Sequence, residues 1–486
     1  MMFEPQRLHP VSAVLNFVKG LKDAIFPIIA IFFLNGNQVE GFLNWLPLIL
    51  SASFLVLILI AGIVKWLRFT YRVQEGELRI EYGLIFRKKR YIPMDRIQSL
   101  NFSEGVLHRP FQLVKVSIET AGSPGSQEAE AELTAIKRSE AKRLEEIIYH
   151  GKQERSFVEE QTEEQGMDSD RMLVYGMTMK DLVLMALTSG GAGVVISGVA
   201  VFFSQIIEFL PVGTIYEEVL DWLQIGVLIV GLTALLILLL AYGISVILTV
   251  LRFGKFSVFI EGEDLIITRG LLEKKQITIP LNRIQGIRVD ENMIRQPLGF
   301  ATISIISAGG SIKGDAEQQF KVLPLIKRSQ IKGVMESILP QYDLDVSLKR
   351  PPKRARIRYL VRCVLFPAVL AIAASVFFWP VGLVSLLIVP IFIGLGVLNH
   401  RDAGWNVRDK QLTLSYRFMT KQTYVMKKHR IQSSQCSQSI LQKRARLSSV
   451  EVTLKTGVGK ARAHCHHLEN EDIEQIMDWF KHENIG

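Results

Sequence analysis

Long stretches of the 486-residue sequence lack any basic residue. None of its 57 Lys and Arg residues falls within 23–64, 181–251 or 363–400, although the formal net charge of the chain is +10. The same stretches are strongly apolar, and about 20 apolar residues suffice to cross the hydrocarbon core of a bilayer. With 49% apolar residues, the chain is too apolar for a disordered or a nucleic-acid-coating protein. The separation of charge predicts a membrane protein with charged soluble segments between its apolar ones.

Two further kinds of residue pattern are absent, and their absence limits the classes of function that we expect. No ionisable residue lies near the middle of a predicted span, where carriers and pumps usually place one. The soluble segments show no paired carboxylates, no Ser/His/Asp arrangement and no metal-ligand spacing. We therefore expect a non-enzymatic protein without a cofactor or metal. The alternative is a transport or export accessory whose helix hairpins are the functional part.

Cysteine is scarce, with only three residues, Cys363, Cys436 and Cys465. Cys363 falls in an apolar stretch and the other two in soluble segments that we assign to the reducing cytoplasm, so no disulfide is expected. The run His464-Cys465-His466-His467 has the residue types of a metal site. On a strand, however, its side chains alternate between two faces, so four ligands cannot converge on one ion.

The apolar stretches predict six transmembrane helices in three hairpins, within 1–67, 179–251 and 358–400. The turns inside the hairpins contain no Lys or Arg. Because basic residues concentrate on the cytoplasmic side, both termini and all soluble segments are predicted to be cytoplasmic.

The three soluble segments are copies of one unit. The first matches the second at a constant offset of 187, and the second matches the third at 147. Arg96-Ile97-Gln98 thus recurs as Arg283-Ile284-Gln285 and as Arg430-Ile431-Gln432. A fixed register over this length indicates an internal repeat.

Each copy reads as strands followed by a helix. Leu78–Tyr82, Lys89–Ile92 and Val114–Thr120 alternate apolar and polar residues, as half-buried strands do. Ser139–Tyr149 then places Ala141, Leu144 and Ile148 on one helical face. The predicted fold is α+β, with a small antiparallel sheet or partly open barrel and a C-terminal helix in each copy.

Two spans followed by strand, Gly, strand and Pro-x-x-Arg-Ile-Gln resemble the bacterial pleckstrin-homology-like (PH-like) membrane proteins, in their three-copy branch. The resemblance covers the whole chain and implies a bacterial, multi-pass plasma-membrane protein with a PH-like β-barrel in each copy. It gives PH-like domains at 68–151, 252–341 and 401–486, an acidic linker at 152–178 and a basic linker at 342–357.

The repeated arginines suggest phosphate or partner contacts, because guanidinium groups pair bidentately with phosphate. The alternative is that they bond backbone carbonyls at strand ends and hold the fold together. The candidate residues are Arg96, Arg283 and Arg430, with neighbouring Lys88, Lys89, Arg90, Lys274 and Lys275.

A second basic group precedes the fifth span. It either contacts anionic lipid of the inner leaflet or only fixes the topology of that span. Its members are Lys349, Arg350, Lys353, Arg354, Arg356 and Arg358.

Ser189, Gly193 and Ser197 form a stripe of small residues at helical spacing on the third span. Such a stripe packs helices within the chain or docks another membrane protein. The resemblance suggests a single-copy (YdbS-like) relative as that partner, and we expect no nucleic acid.

From these patterns we expect three cytoplasmic PH-like modules that contact proteins or anionic lipid. We expect such a protein to act in envelope homeostasis or in resistance to membrane-active agents.

Overall fold

The computed structural model describes residues 4–34, 46–120, 131–153, 171–189, 227–308, 320–377, 381–457 and 459–481. The helices in these ranges are α1 (Val11–Leu34), α2 (Leu46–Arg68), α3 (Arg138–Gln153), α4 (Met179–Thr188), α5 (Val227–Phe253), α6 (Ile331–Ile338), α7 (Arg356–Phe377), α8 (Ile388–Asp402), α9 (Ile440–Arg444) and α10 (Asn470–Lys481).

Four helical segments of the described chain are long and apolar enough to cross a membrane. They are Leu48–Arg68, Leu235–Phe253, Lys353–Phe377 and Gly382–Asp402. The first residues of the predicted third span are not in a membrane-spanning position: Leu182 and Met185 are buried in an apolar core that they share with strand residues. Most of that span lies outside the described residues, so the count of six spans stays a prediction.

The strands are β1 (Gln6–Arg7), β2 (Thr70–Gln74), β3 (Glu77–Tyr82), β4 (Lys88–Pro93), β5 (Ile97–Glu104), β6 (Leu113–Thr120), β7 (Ala131–Lys137), β8 (Met172–Gly176), β9 (Ser257–Glu261), β10 (Asp264–Arg269), β11 (Lys274–Pro280), β12 (Ile284–Glu291), β13 (Phe300–Ser307), β14 (Phe320–Lys327), β15 (Gly404–Arg408), β16 (Gln411–Arg417), β17 (Lys421–Lys427), β18 (Ile431–Ser437), β19 (Leu447–Thr456) and β20 (Gly459–Glu469). We call β1–β7 with α3 module 1, β8–β14 with α6 module 2, and β15–β20 with α9 and α10 module 3.

Each module encloses one apolar core between two small sheets. In module 1, Leu78 of the first sheet, Leu133 of the second and Leu144 of α3 are all buried in the same cluster. Modules 2 and 3 have equivalent clusters of their own. Burial of alternate strand residues and of one helix face accounts for the strand and helix periodicity of the sequence.

The sheets cross from one module to the next. The strand orders are β1-β2-β3-β4, β7-β6-β5-β11-β10-β9-β8, β14-β13-β12-β17-β16-β15 and β18-β19-β20. β5 of module 1 therefore pairs with β11 of module 2, and β12 of module 2 pairs with β17 of module 3. We call these two pairings the module junctions. The antiparallel sheets expected in each copy are present, and they are shared between copies because edge backbone groups are satisfied by the next module.

The apolar helices are inserted within the fold of each module. β1 precedes α1 and α2, yet it pairs with β2, which follows them. β8 likewise pairs with β9 across the second apolar segment. In module 3 the corresponding contact is the bridge between Lys349 and Trp405. The segments predicted as linkers, 152–178 and 342–357, thus each contribute to the sheet of the following module.

The predicted local elements are confirmed. The three strands expected in copy 1 correspond to β3, β4 and β6, and its closing helix to α3. Gly83 adopts a left-handed φ of 133° in the turn after β3, where a Cβ would lie 1.9 Å from the Phe86 carbonyl oxygen.

The second junction is testable by a disulfide. Glu291 and Lys421 are directly opposite one another on β12 and β17, and opposite residues of antiparallel strands bring their Cβ atoms within about 4.5–5.5 Å. Glu291→Cys with Lys421→Cys should therefore oxidise to a linked peptide pair, detected by non-reducing mass spectrometry. Glu291→Cys with Gln422→Cys is the matched control, because neighbouring strand side chains point to opposite faces. Equal linkage of the two pairs would contradict this register.

Candidate functional site

The strand directions give every module two distinct ends. α2 ends at Arg68 and β2 starts at Thr70, so that β2 leads away from the helices and β3 returns. The turn after β3 therefore lies beside the helices, and Arg68 Nη1 donates to the Leu84 carbonyl there at 2.7 Å. Leu271 N donates equivalently to the Leu251 carbonyl of α5 at 2.9 Å. We call this the proximal end, and the opposite one the distal end.

The repeated arginines lie at the distal end. Arg96, Arg283 and Arg430 each close a single 3-10 turn that joins the two sheets of their module. Because the connecting strands have six or seven residues, these turns lie about 20 Å from the proximal end.

The three arginines belong to three separate turns. Arg430 Nη2 donates to the carbonyl of Asn282 in the preceding module at 2.7 Å, while partial burial lowers the pKa of Arg283. Phosphate binding by these residues stays a prediction.

The neighbouring basic residues fall on equivalent strands with different surroundings. Lys88, Lys89 and Arg90 lie on β4, where Lys89 Nζ is 3.6 Å from Glu81 Oε1. Lys274 lies opposite Glu104 and Lys275 opposite Ser103 within the first module junction. Two of the candidate phosphate ligands are thus part of an inter-module pairing.

The basic segment before α7 is folded against module 3. Lys349 Nζ lies 2.5 Å from Asp472 Oδ1, and this hydrogen bond raises the pKa of Lys349. Arg354 Nη2 is 3.0 Å from Glu469 Oε1. The remaining members are Arg350, Lys353, Arg356 and Arg358, of which the first three are exposed and Arg358 is partly buried. Their contact with lipid stays a prediction.

The small-residue stripe is described only at its first member. Ser189 follows α4, and its Oγ donates to the Ala186 carbonyl at 2.9 Å. Gly193 and Ser197 lie outside the described residues.

Sequence reasoning missed one buried polar position of the repeat, whose side chain is hydrogen-bonded to the last strand of each module. It is occupied by His108, Arg295 and Gln442, which are related by the repeat offsets of 187 and 147. All three side chains are buried. A buried polar group requires hydrogen-bond partners, so each of them is expected to hold neighbouring elements together.

Arg295 connects the helical segment of module 2 to its sheet. Its guanidinium donates to Thr188 Oγ1 at 2.9 Å and to the Met185 carbonyl at 3.1 Å, both in α4. It also donates to Thr302 Oγ1 at 2.5 Å and to the Pro324 carbonyl at 3.2 Å. Burial lowers the pKa of Arg295. The four acceptors place one cation where α4, β13 and β14 meet.

Modules 1 and 3 have related contacts. His108 Nε2 lies 2.9 Å from the carbonyl of Thr134, whose hydroxyl is 2.6 Å from that of Ser12 in α1. In module 3, Gln442 Nε2 lies 3.0 Å from His467 Nδ1. The hydroxyl of Tyr359 in α7 donates to the neighbouring His466 carbonyl at 2.5 Å. In modules 1 and 3 the first apolar helix is thus hydrogen-bonded directly to the last strand of its module, whereas in module 2 Arg295 connects α4 to β14.

The histidine run forms an aromatic cluster beside α7. His464 and His466 lie with ring centroids 4.7 Å apart, as strand alternation predicts, while Cys465 points into the core. His467 has a left-handed φ of 58°, which breaks the alternation, and its ring lies 5.1 Å from that of Tyr359. In the described part of the chain, no group of three His, Cys, Asp or Glu residues is placed to hold a metal ion.

Exposed apolar residues recur at the proximal end of every module. They lie in the turns after β3, β10 and β16 of the first sheets and in the loops after β5, β12 and β18 of the second sheets. Their exposed fractions range from 42% to 79%. We call them the apolar tips: Ile85, Phe86, Val106, Leu107, Leu272, Met293, Ile294, Phe418, Met419, Ile440 and Leu441.

Residues beside the tips of adjoining modules are hydrogen-bonded to one another. Arg109 Nη2 of module 1 donates to the Leu271 carbonyl of module 2 at 2.5 Å. Arg417 of module 3 donates to the Gln296 side chain of module 2. The tips therefore form one row along the side on which the apolar helices enter.

Three repeated two-sheet modules, with apolar helices inserted between their strands, define the class of this protein. Residues 25–152, 210–341 and 363–484 match the bacterial PH domain family, and the chain belongs to that family. It is 36% identical over 499 aligned residues to the UPF0699 transmembrane protein YdbT of Bacillus subtilis (strain 168), with 99% of each chain covered. No solved structure matches the chain significantly. The predicted family and its three copies are thereby confirmed, and a membrane location is supported.

Replacing Arg295 should loosen α4 from module 2. Arg295→Met leaves Thr188 and Thr302 without their charged donor, and we expect a loss of about 2–4 kcal/mol in the free energy of unfolding. Hydrogen exchange of α4 in detergent would report it. Lys332→Met, at an exposed position of α6, is the control. Unchanged protection of α4 in the Arg295 variant would argue against this role.

Module 3 should lose stability in acid. Burial lowers the pKa of His466 to about 3 and that of His467 to about 4. An unfolded chain takes up these protons near pH 6.5, so stability should fall as the pH drops from about 6.5 towards 4. Thermal unfolding followed by tryptophan fluorescence in detergent tests this. His466→Asn with His467→Asn should flatten the decline, and an unaltered slope would contradict the assignment.

Proposed function

We propose that the protein is a non-enzymatic membrane scaffold that holds three PH-like modules against the cytoplasmic face as one continuous array. The observation that carries this proposal is the pair of module junctions, which join three cores through shared sheets. Such an array offers a long surface with fixed spacing for protein or anionic-lipid contacts. The family match indicates no enzymatic family. The physiological role that we propose is envelope homeostasis or resistance to membrane-active agents.

The proposed topology has six helices in three hairpins, with both termini and all modules in the cytoplasm. Two observations support it. Basic residues are absent from the three apolar windows and abundant in the modules, which is typical of cytoplasmic segments. Each hairpin is inserted between strands that pair with one another, so both of its ends start from the same side.

We further propose that the apolar tips enter the cytoplasmic leaflet. Ile85 and Phe86 are each 79% exposed beside the end of α2, and Phe418 is 76% exposed beside the end of α8. Burying one large apolar side chain contributes about 1.5–3 kcal/mol. Neighbouring Arg87 and Lys88 would then lie at the headgroups, where each cation adds about 1 kcal/mol on an anionic surface.

A single-copy member of the same family stays our proposed protein partner. The stripe of Ser189, Gly193 and Ser197 is the proposed contact for it, since small residues let helix backbones approach closely.

An environment-sensitive fluorophore tests the placement of the tips. Ile85→Cys, labelled in nanodiscs that contain anionic lipid, should give blue-shifted emission and be quenched by nitroxide-labelled lipid. Asp95→Cys is the matched control, because Asp95 is exposed in the same module but lies at the distal end. If both labels report water to the same degree, the array does not lie on the membrane as proposed.

A further inference from the structure

The array ends in two strand edges that have no strand neighbour among the described residues. At one end β4 is the last strand of its sheet, and at the other end β18 is. The equivalent edges inside the array are paired with one another at the junctions. β11 and β17 occupy the position of β4 in the repeat and are paired at the junctions, as are β5 and β12, the equivalents of β18.

The two junctions have the same register. Glu104 lies opposite Lys274 in the first, and Glu291 opposite Lys421 in the second. The repeat offsets of 187 and 147 convert one pair into the other. Lys421 Nζ lies 2.8 Å from Glu291 Oε2. The junction is therefore a reproducible docking mode between the second sheet of one module and the first sheet of the next.

β18 lacks the features that protect a free edge. Edge strands are usually guarded by charged residues, proline or a cover, yet Ile431–Ser437 contains no charge and no proline. Five of its seven residues are exposed, whereas no residue of the equivalent β12 is. An edge of this kind is suited to strand addition.

We propose that β18 binds β4 of a second copy of this chain, which extends the array proposed above by one more junction. β4 is the strand that the repeat relation selects, because its equivalents fill this edge in both junctions. The same register places Cys436 opposite Lys89 of the other copy, and Gln438 opposite Arg87. Gln438 stands where the other modules have Glu104 and Glu291, so this contact has no ion pair and is weaker than the junctions within the chain.

The contact is heterologous, since it joins the two different ends of identical molecules. Such contacts produce rings when the rotation closes and open chains when it does not. In a membrane, both arrangements would surround or line a patch of bilayer with a continuous row of modules.

The native Cys436 provides the test. It is exposed on β18. In membranes treated with a mild oxidant, Lys89→Cys should form disulfide-linked dimers and higher species with Cys436 of neighbouring copies. Lys88→Cys is the matched control, because its side chain points to the other face of the same edge, and it should be linked at least about fivefold less. Cys436→Ser should remove the ladder.

A second variant tests the edge without altering Cys436. Gln435→Lys with Ser437→Lys places like charges opposite Arg90 and Lys88 of the other copy, and should lower linkage of Lys89→Cys about fivefold at low salt. Equal linkage of the Lys88 and Lys89 variants would overturn the proposal. A second result would also overturn it: all copies stay monomeric, yet Cys436 does not react with maleimide. That result would indicate that a different protein covers this edge. The disulfide between positions 291 and 421 tests the junction within one chain. If it forms while the contact between copies does not, the array is correct and only the contact between copies is wrong.

Discussion

The backbone groups at a strand edge need hydrogen-bond partners, and this requirement organises the whole molecule. Each module has one main apolar core but an incomplete pair of sheets, and Val425 of module 3 and Ile306 of module 2 each join the core of the neighbouring module. The missing neighbour comes from the next module, through β5 with β11 and β12 with β17. Because these bonds are perpendicular to the strands and fixed in register, they set the spacing of the modules more firmly than a flexible linker would. The three copies are thus one structure and not three tethered domains.

Sequence reasoning recovered what is local and repeated. The alternation in Leu78–Tyr82 and Val114–Thr120 identifies strands, and the apolar face of Ser139–Tyr149 identifies the closing helix. It did not recover which strands share a sheet, because an edge strand looks the same whether its neighbour comes from its own module or from the next. Lys274 illustrates the limit: as a basic residue it suggested phosphate binding, whereas its place opposite Glu104 is visible only once the sheets are assembled.

Sequence reasoning missed the buried polar position for a different reason. His108, Arg295 and Gln442 share a position and a role but no chemical type. A search for repeated identities passes over them, although comparing polarity at equal offsets would have singled them out. Their variety follows from what each must reach. The long guanidinium of Arg295 spans two elements at once, whereas the shorter side chains act through Thr134 and His467.

The insertion of apolar helices between paired strands has a consequence for biosynthesis. A ribosome delivers β1 well before β2, and both apolar helices of the first hairpin emerge in between. The first sheet therefore forms only after the hairpin has left the ribosome, which ties the folding of each module to membrane integration. The outer edge of β5 waits longer still, until β11 has been translated more than 150 residues later. Chains that terminate early expose such open edges and are natural targets for quality-control proteases.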